Sequence, residues 1–365
     1  MSRFIFIIVL IAVVFQTAAA ENGTEWPLWQ QFKSNFITSN GRVIDPYQNK
    51  NVTTSEGQSY AMFFALVNND KDTFDKLLTW TEQYLAPKGF AKQLPAWLYG
   101  RKNRRLQILD ANSASDSDVW IVYSLLQAEK LWGDTHYRTL AQQLAKGIIK
   151  RETYQHKTLG LVLLPGPEGF VEQSTVRLNP SYLPLQILEV LANSNLGNQW
   201  KEILLSSFHI LMISGKSGIY PDWITVNSEG LILTRETAGY EAIRTYLWNA
   251  TLHEQSHFAP KLNVSLVKAG YYFDKVGFVP EKINPELLTY IGHGNIGHTV
   301  SILPLAQKLS LSKLSDHLQN KVSQHDFSSN QSYYSHALAL FSLGFIDGRY
   351  HFSKHGDLIV DWDVD

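Results

Sequence analysis

The sequence predicts an all-α protein, a toroid of antiparallel helix pairs such as an α/α barrel. Three observations carry that expectation. Apolar residues recur at three- and four-residue spacing through most of the chain. Turns of two or three residues join successive helices, as at Asn69-Asp70 and Trp132-Gly133-Asp134. Strand-like runs are few and short. A helical solenoid would use similar pairs, but it would carry a repeat period, and the sequence has no strict repeat.

The elements follow in order. Arg3, an apolar run from Phe4 to Phe15 and the small residues Ala18-Ala19-Ala20 predict a secretory signal peptide over residues 1–20. The apolar run is shorter than the roughly 20 residues a membrane span requires, and no later segment reaches that length. Residues 21–365 read as one exported domain, periplasmic or secreted. Helices are expected over Gln58–Asn68, Asp72–Leu85, Asp118–Leu131 and Thr135–Arg151. Further helices are expected over Tyr182–Leu191, Gln199–Ser214, Tyr240–Asn249, Thr299–Leu309 and Ser332–Leu343. In Asp118–Leu131 the residues Val119, Val122, Tyr123 and Leu126 form one apolar stripe. Leu159–Leu164 and Leu231–Thr234 read as strands of small hairpins.

Composition removes several function classes. The chain has no cysteine, which excludes thiol catalysis and cysteine-ligated metals. A formal net charge of −1 gives no basic face for a nucleic acid. His293 and His298 are five apart, not at the i, i+4 helical spacing of zinc hydrolases. No cofactor or metal is therefore expected. The 10 Trp, 17 Tyr and 18 Phe are a heavy aromatic load, which serves a core and also suits stacking on sugar rings.

The acids are more informative. Glu56, Asp116 with Asp118, and Glu241 each fall at a predicted helix start. Acids there ordinarily cap free N–H groups and complement the helix dipole. Ser55 and Ser115 stand ready to cap, however, and leave Glu56 and Asp116 partly redundant for that purpose. In a toroid the inner helices run parallel, so acids at their starts meet on one face. Glycoside hydrolysis needs that convergence. One carboxylic acid protonates the leaving oxygen, and a second carboxylate activates water or attacks the sugar.

Ser55-Glu56-Gly57-Gln58-Ser59-Tyr60, and the run from Ala114 to Ala128 that contains Ser115-Asp116-Ser117-Asp118-Val119-Trp120, resemble glycoside hydrolase family 8. Ser117 and Val122 stand where that signature usually has a smaller residue. Within the family, the resemblance is to the periplasmic endoglucanases of bacterial cellulose synthase operons. Gly41–Pro46, Leu94–Gly100, Asn179–Pro184 and Pro221-Asp222-Trp223 match as well. The resemblance implies an (α/α)6 barrel, a β-1,4-glucan substrate and an inverting mechanism. It also implies the cellulose synthase export machinery as a partner. Glu56 stands at the general acid. Asp116 stands at the signature aspartate, read either as nucleophile or as holder of the sugar at the cleavage subsite. Glu241, in Tyr240-Glu241-Ala242-Ile243-Arg244, stands where the family carries an aspartate as general base. Trp97, Trp120, Tyr182 and Trp223 are candidates for stacking on glucose, and each has an alternative place in the core. Asp118, Tyr240 and Arg244 complete the candidate substrate-binding set, Arg244 also being placed to orient Glu241.

Overall fold

The computed structural model describes residues 25–46, 51–328 and 332–363. The expected signal peptide over 1–20 lies outside them. Twelve α-helices among the described residues form six pairs. Six are inner: α2 (Ser55–Val67), α4 (Ser115–Trp132), α6 (Leu185–Asn193), α8 (Ile243–Thr251), α10 (Ile296–Lys308) and α12 (Tyr333–Ile346). Each packs on the next inner helix, and α12 returns to α2, so the ring closes. The outer helices are α3 (Lys71–Tyr84), α5 (Thr135–Arg151), α7 (Gln199–Ser214), α9 (Ala259–Val276) and α11 (Ser312–Ser323), each against its inner partner. The sixth outer place is filled from the other end of the chain, by α1 (Pro27–Phe36) against α12. This is an (α/α)6 barrel, as expected.

The two rings differ because they meet different solvents. Inner helices are covered on all sides. Residues 57–67 of α2 and 335–342 of α12 are buried without interruption. Outer helices bury one stripe, which in α11 is only Leu314, Ser315 and Leu318. The barrel axis is plugged by aromatics. The Phe341 ring centroid lies 4.6–5.3 Å from those of Tyr60, Phe63, Phe64, Trp120 and Trp248, which come from three other inner helices.

Strands lie in the connections. A three-stranded antiparallel sheet joins β1 (Thr53–Thr54), β2 (Leu98–Lys102) and β3 (Arg105–Asp110) in that order. β4 (Thr153–His156) pairs with β5 (Gly160–Leu163), the strand expected near 159–164. β6 (Val171–Glu172), β7 (Thr175–Leu178), β8 (Ile224–Asn227) and β9 (Ile232–Arg235) form a four-stranded sheet that includes the strand expected near 231–234. Hairpins β10 (Pro280–Ile283) with β11 (Tyr290–His293), and β12 (Tyr350–Phe352) with β13 (Leu358–Val360), complete the set among the described residues.

Three helices start three residues earlier than expected, at Ser55, Ser115 and Ile296, and two start three residues later. The helix expected from Tyr182 begins at Leu185, after a 3-10 turn over Pro180–Tyr182. Pro184 disfavours helical backbone at Leu183 and breaks the run there. The helix expected from Tyr240 begins at Ile243. Asp222 holds the preceding turn, its Oδ1 accepting from the N–H groups of Gly239 and Ala242 at 2.8 Å each. No helix among the described residues is long and apolar enough to cross a membrane.

Candidate active site

The inner-helix starts converge on a cavity of about 530 Å³. It is lined by Asp45, Thr54, Glu56, Tyr240, Glu241, Asn295, Ser332, Tyr333 and Tyr334. Thr54 ends β1 and caps α2, accepting from Gly57 N–H at 3.1 Å. The expected caps are thus not the ones used, since the buried hydroxyls of Ser55 and Ser115 have no partner. Thr54 relieves Glu56 of capping and leaves its side chain to the cavity. At α4, Asp116 Oδ1 accepts from its neighbour Ser117 N–H at 2.7 Å, so this acid does serve its own helix start.

Arg244, in the first turn of α8 and 1% exposed, organises the site. Its Nη1 donates to Glu56 Oε2 at 2.5 Å, to Asp116 Oδ2 at 3.0 Å and to Tyr60 hydroxyl at 3.0 Å. Its Nη2 donates to Glu241 Oε2, which also accepts from Asn179 Nδ2 at 3.2 Å. A cation near a helix N-terminus opposes the dipole, and three carboxyls from three inner-helix starts compensate. The guanidinium also faces the rings of Tyr182 and Tyr334, at 5.4 and 5.8 Å.

One cation among three carboxyls, of which only Glu241 is substantially exposed, leaves an excess of negative charge if all three ionise. Glu56 relieves it. Burial pushes its carboxyl up to about 8, the Arg244 charge opposes that shift, and Asp116 and Glu241 add to it. Burial thus biases Glu56 toward its protonated form. Its Oε2 faces Arg244, and Oε1 makes no hydrogen bond among the described residues. Asp116 is also raised, first by burial and against the pull of Arg244. Beside the guanidinium lie a carboxyl shifted toward its protonated form and a second carboxyl, Glu241, whose side chain is 40% exposed.

Tyr240 is held firmly beside them. Its ring stacks on His298 at 4.7 Å, and its hydroxyl shares a hydrogen bond with Ser335 Oγ at 2.8 Å. Gly297 makes that reach possible, because a Cβ there would come within 2.5 Å of the Tyr240 hydroxyl oxygen. Trp97 and Trp223 stand further out. Trp97 is 38% exposed, and its carbonyl accepts from Ser55 N–H at 3.0 Å. Trp223 lies 6.0 Å from Tyr182 and carries the Arg177 guanidinium over its ring at 4.2 Å.

Two candidates are displaced from the site. Trp120 is 1% exposed and belongs to the aromatic plug, 5.3 Å from Trp248 and 5.0 Å from Phe63, so it offers no face to a sugar. It sits one turn deeper than Asp116 along α4. Asp118, two residues after Asp116, is rotated by about 200° away from it. It is fully buried in the electrostatic field of Glu152, whose own carboxyl accepts from Ser113 Oγ at 2.6 Å. Burial raises both carboxyls, Glu152 to about 8. Asp118 is a buried structural acid and not a substrate contact. Sequence reasoning missed Tyr333, Tyr334 and Asn295, although the predicted helix start at Ser332 marked where the first two would fall.

An (α/α)6 barrel with carboxyls gathered at its cavity, one of them shifted by burial toward its protonated form, fits a class: a glycoside hydrolase working through carboxyl groups. The profile of glycosyl hydrolases family 8 matches residues 2–348, and the chain belongs to that family. It is 36% identical to an endoglucanase of Salmonella typhi over 359 residues, covering 97% of this chain and 96% of that protein. It is 35% identical to an endoglucanase of Escherichia coli K12 over 358 residues, with 97% and 95% covered. The crystal structure of the endo-1,4-D-glucanase from Vibrio fischeri ES114 superposes with a TM-score of 0.86 at 39% identity, covering 93% of this chain and 99% of that one.

Proposed function

We propose that the protein is an endo-β-1,4-glucanase acting by inversion, with Glu56 as general acid and Glu241 as general base. The observation that carries the reading is Arg244 joined to Glu56, Asp116 and Glu241 at once. It sets a carboxyl biased toward protonation and an exposed one on a single cation at the cavity. In this reading Glu56 gives its proton to the departing glycosidic oxygen. Glu241 takes a proton from the attacking water, held for that purpose by Arg244 and Asn179. Asp116, on the same Nη1 as Glu56 and almost fully buried, fixes the guanidinium between the acid and the base. Trp97, Tyr182 and Trp223 extend the glucan-binding surface. The enzyme should release new reducing ends from carboxymethylcellulose well ahead of chitosan or xylan. A preference for either of those would change the substrate, and no release from any would overturn the enzyme reading.

Glutamate at position 241 is longer by one methylene than the aspartate usual in the family. An inverting pair needs a gap of about 6.5–9.5 Å for its water, and misplacing a reacting group by about 1 Å costs about a hundredfold. Glu241→Asp should therefore raise kcat on cello-oligosaccharides, by up to that factor. An unchanged or lower kcat would contradict a base held off its best position.

We also propose that residues 1–20 are removed on export, and that the enzyme trims β-1,4-glucan as a cellulose synthase machinery delivers it. Sequencing of the exported protein should then start at Glu21, and an uncleaved N-terminus would refute removal.

A further inference from the structure

The hairpin β2–β3 carries a charge pattern that the fold does not use. Arg101, Lys102, Arg104 and Arg105 crowd its tip, all exposed, in a chain whose formal net charge is −1. None of the four lies within ion-pair distance of an acid among the described residues. Lys102 pairs directly with Arg105 across the strands, a like-charge contact that destabilises a hairpin. The two-residue turn is Asn103-Arg104, with φ of +51° and +64°. Asn suits the first of these left-handed positions, but the second ordinarily takes glycine. An arginine thus stands where a glycine would be less strained. Edge protection accounts for charge as such on an exposed strand, but not for four of one sign.

The hairpin is anchored at its base and joined to the site. Tyr99 packs edge-on to Trp80 at 5.3 Å, with the Arg42 guanidinium 5.4 Å from its ring. Leu98 pairs with Thr54, the residue that caps α2 and lines the cavity next to Glu56. Exposed Trp97 immediately precedes β2. From Leu98 to Lys102 the strand rises about 13 Å. The hairpin therefore leads from the cavity rim to a cationic tip.

We propose that this hairpin is an anion-reading arm of the cleft, binding carboxylate or phosphate groups along an acidic β-glucan strand. The proposal rests on the glucanase reading, and a neutral polymer keeps the two apart. Arg101→Gln, Lys102→Gln, Arg104→Gln and Arg105→Gln combined should leave kcat and KM on hydroxyethylcellulose within twofold of wild type. One exposed ion pair contributes a factor of up to about five to an equilibrium constant. At low salt, KM for carboxymethylcellulose, for phosphorylated cellulose, or for both should therefore rise at least fivefold, the affected polymer identifying the anion read. The gap should close near 1 M salt, where the Debye length falls to about 3 Å. Unchanged KM on both acidic polymers would overturn the proposal, as would an equal loss on hydroxyethylcellulose. So would loss of binding to phosphatidylglycerol vesicles with the acidic-polymer kinetics intact, which would make the tip a membrane contact. Failure of the wild type on hydroxyethylcellulose would instead strike at the glucanase reading itself.

Discussion

Glu56→Gln is expected to lower turnover on unactivated cello-oligosaccharides by about a thousandfold, within the usual range for removal of a general acid. The amide keeps the size of the side chain and its place beside Arg244. What it loses is the proton. The loss should shrink when the leaving group is an activated phenol, which departs without protonation, whereas a generally damaged site would lose both substrates alike. The pH profile gives a second readout. With the Glu56 carboxyl raised to about 8 by burial, wild-type kcat/KM should fall as pH rises through that value. In Glu56→Gln that alkaline limb should vanish. Equal activity of variant and wild type would remove Glu56 from the mechanism.

Arg244→Met should have the largest effect on stability. It leaves Glu56, Asp116 and Glu241 facing one another without the cation that joins them. Removing one partner of a buried ion pair costs about 3–5 kcal/mol. The sign of the pH dependence follows from the raised carboxyls. Without Arg244, which opposes the shifts of Glu56 and Asp116, these groups rise further. A raised folded-state pKa stabilises fully below the unfolded value, near 4.5 for glutamate. That contribution is lost as pH climbs through the folded value. Urea unfolding should therefore find the variant closest to wild type near pH 4.5 and most destabilised near pH 8, and inactive at both. An equal destabilisation at the two pH values would mean that Arg244 acts through packing alone.

The ring of inner helices was legible because those helices are rich in apolar residues around their whole circumference, and four of them, α2, α4, α10 and α12, start at or just after a polar residue. The outer helices α1, α9 and α11 were not. α11 buries a stripe of three residues, too thin to stand out from a polar loop. In α9 the buried stripe contains Ser265 and Gly270, while Val264, Val267 and Tyr271 lie exposed on the other face and blur the pattern. The acids at helix starts pointed to the site, and Glu56, Asp116, Glu241 and Arg244 do meet there. Asp118 and Trp120 share one signature with Asp116, and nothing in it marked them as turned away from the cavity. Helix rotation separates the acids, sending Asp118 toward Glu152. Depth along the axis separates Trp120, which lands in the aromatic plug around Phe341. Asp222, which fixes the turn bearing Glu241, lay within a matching segment but carried no local sign of that role.

The central claim is that Glu56 and Glu241 work as acid and base on opposite sides of one glycosidic bond. Proton NMR of cello-oligosaccharide hydrolysis, followed faster than mutarotation, tests it most directly. The α-anomer at the newly formed reducing end should appear first. A β-anomer appearing first would require a covalent intermediate on a carboxylate and would contradict the assignment of Glu241 as the base.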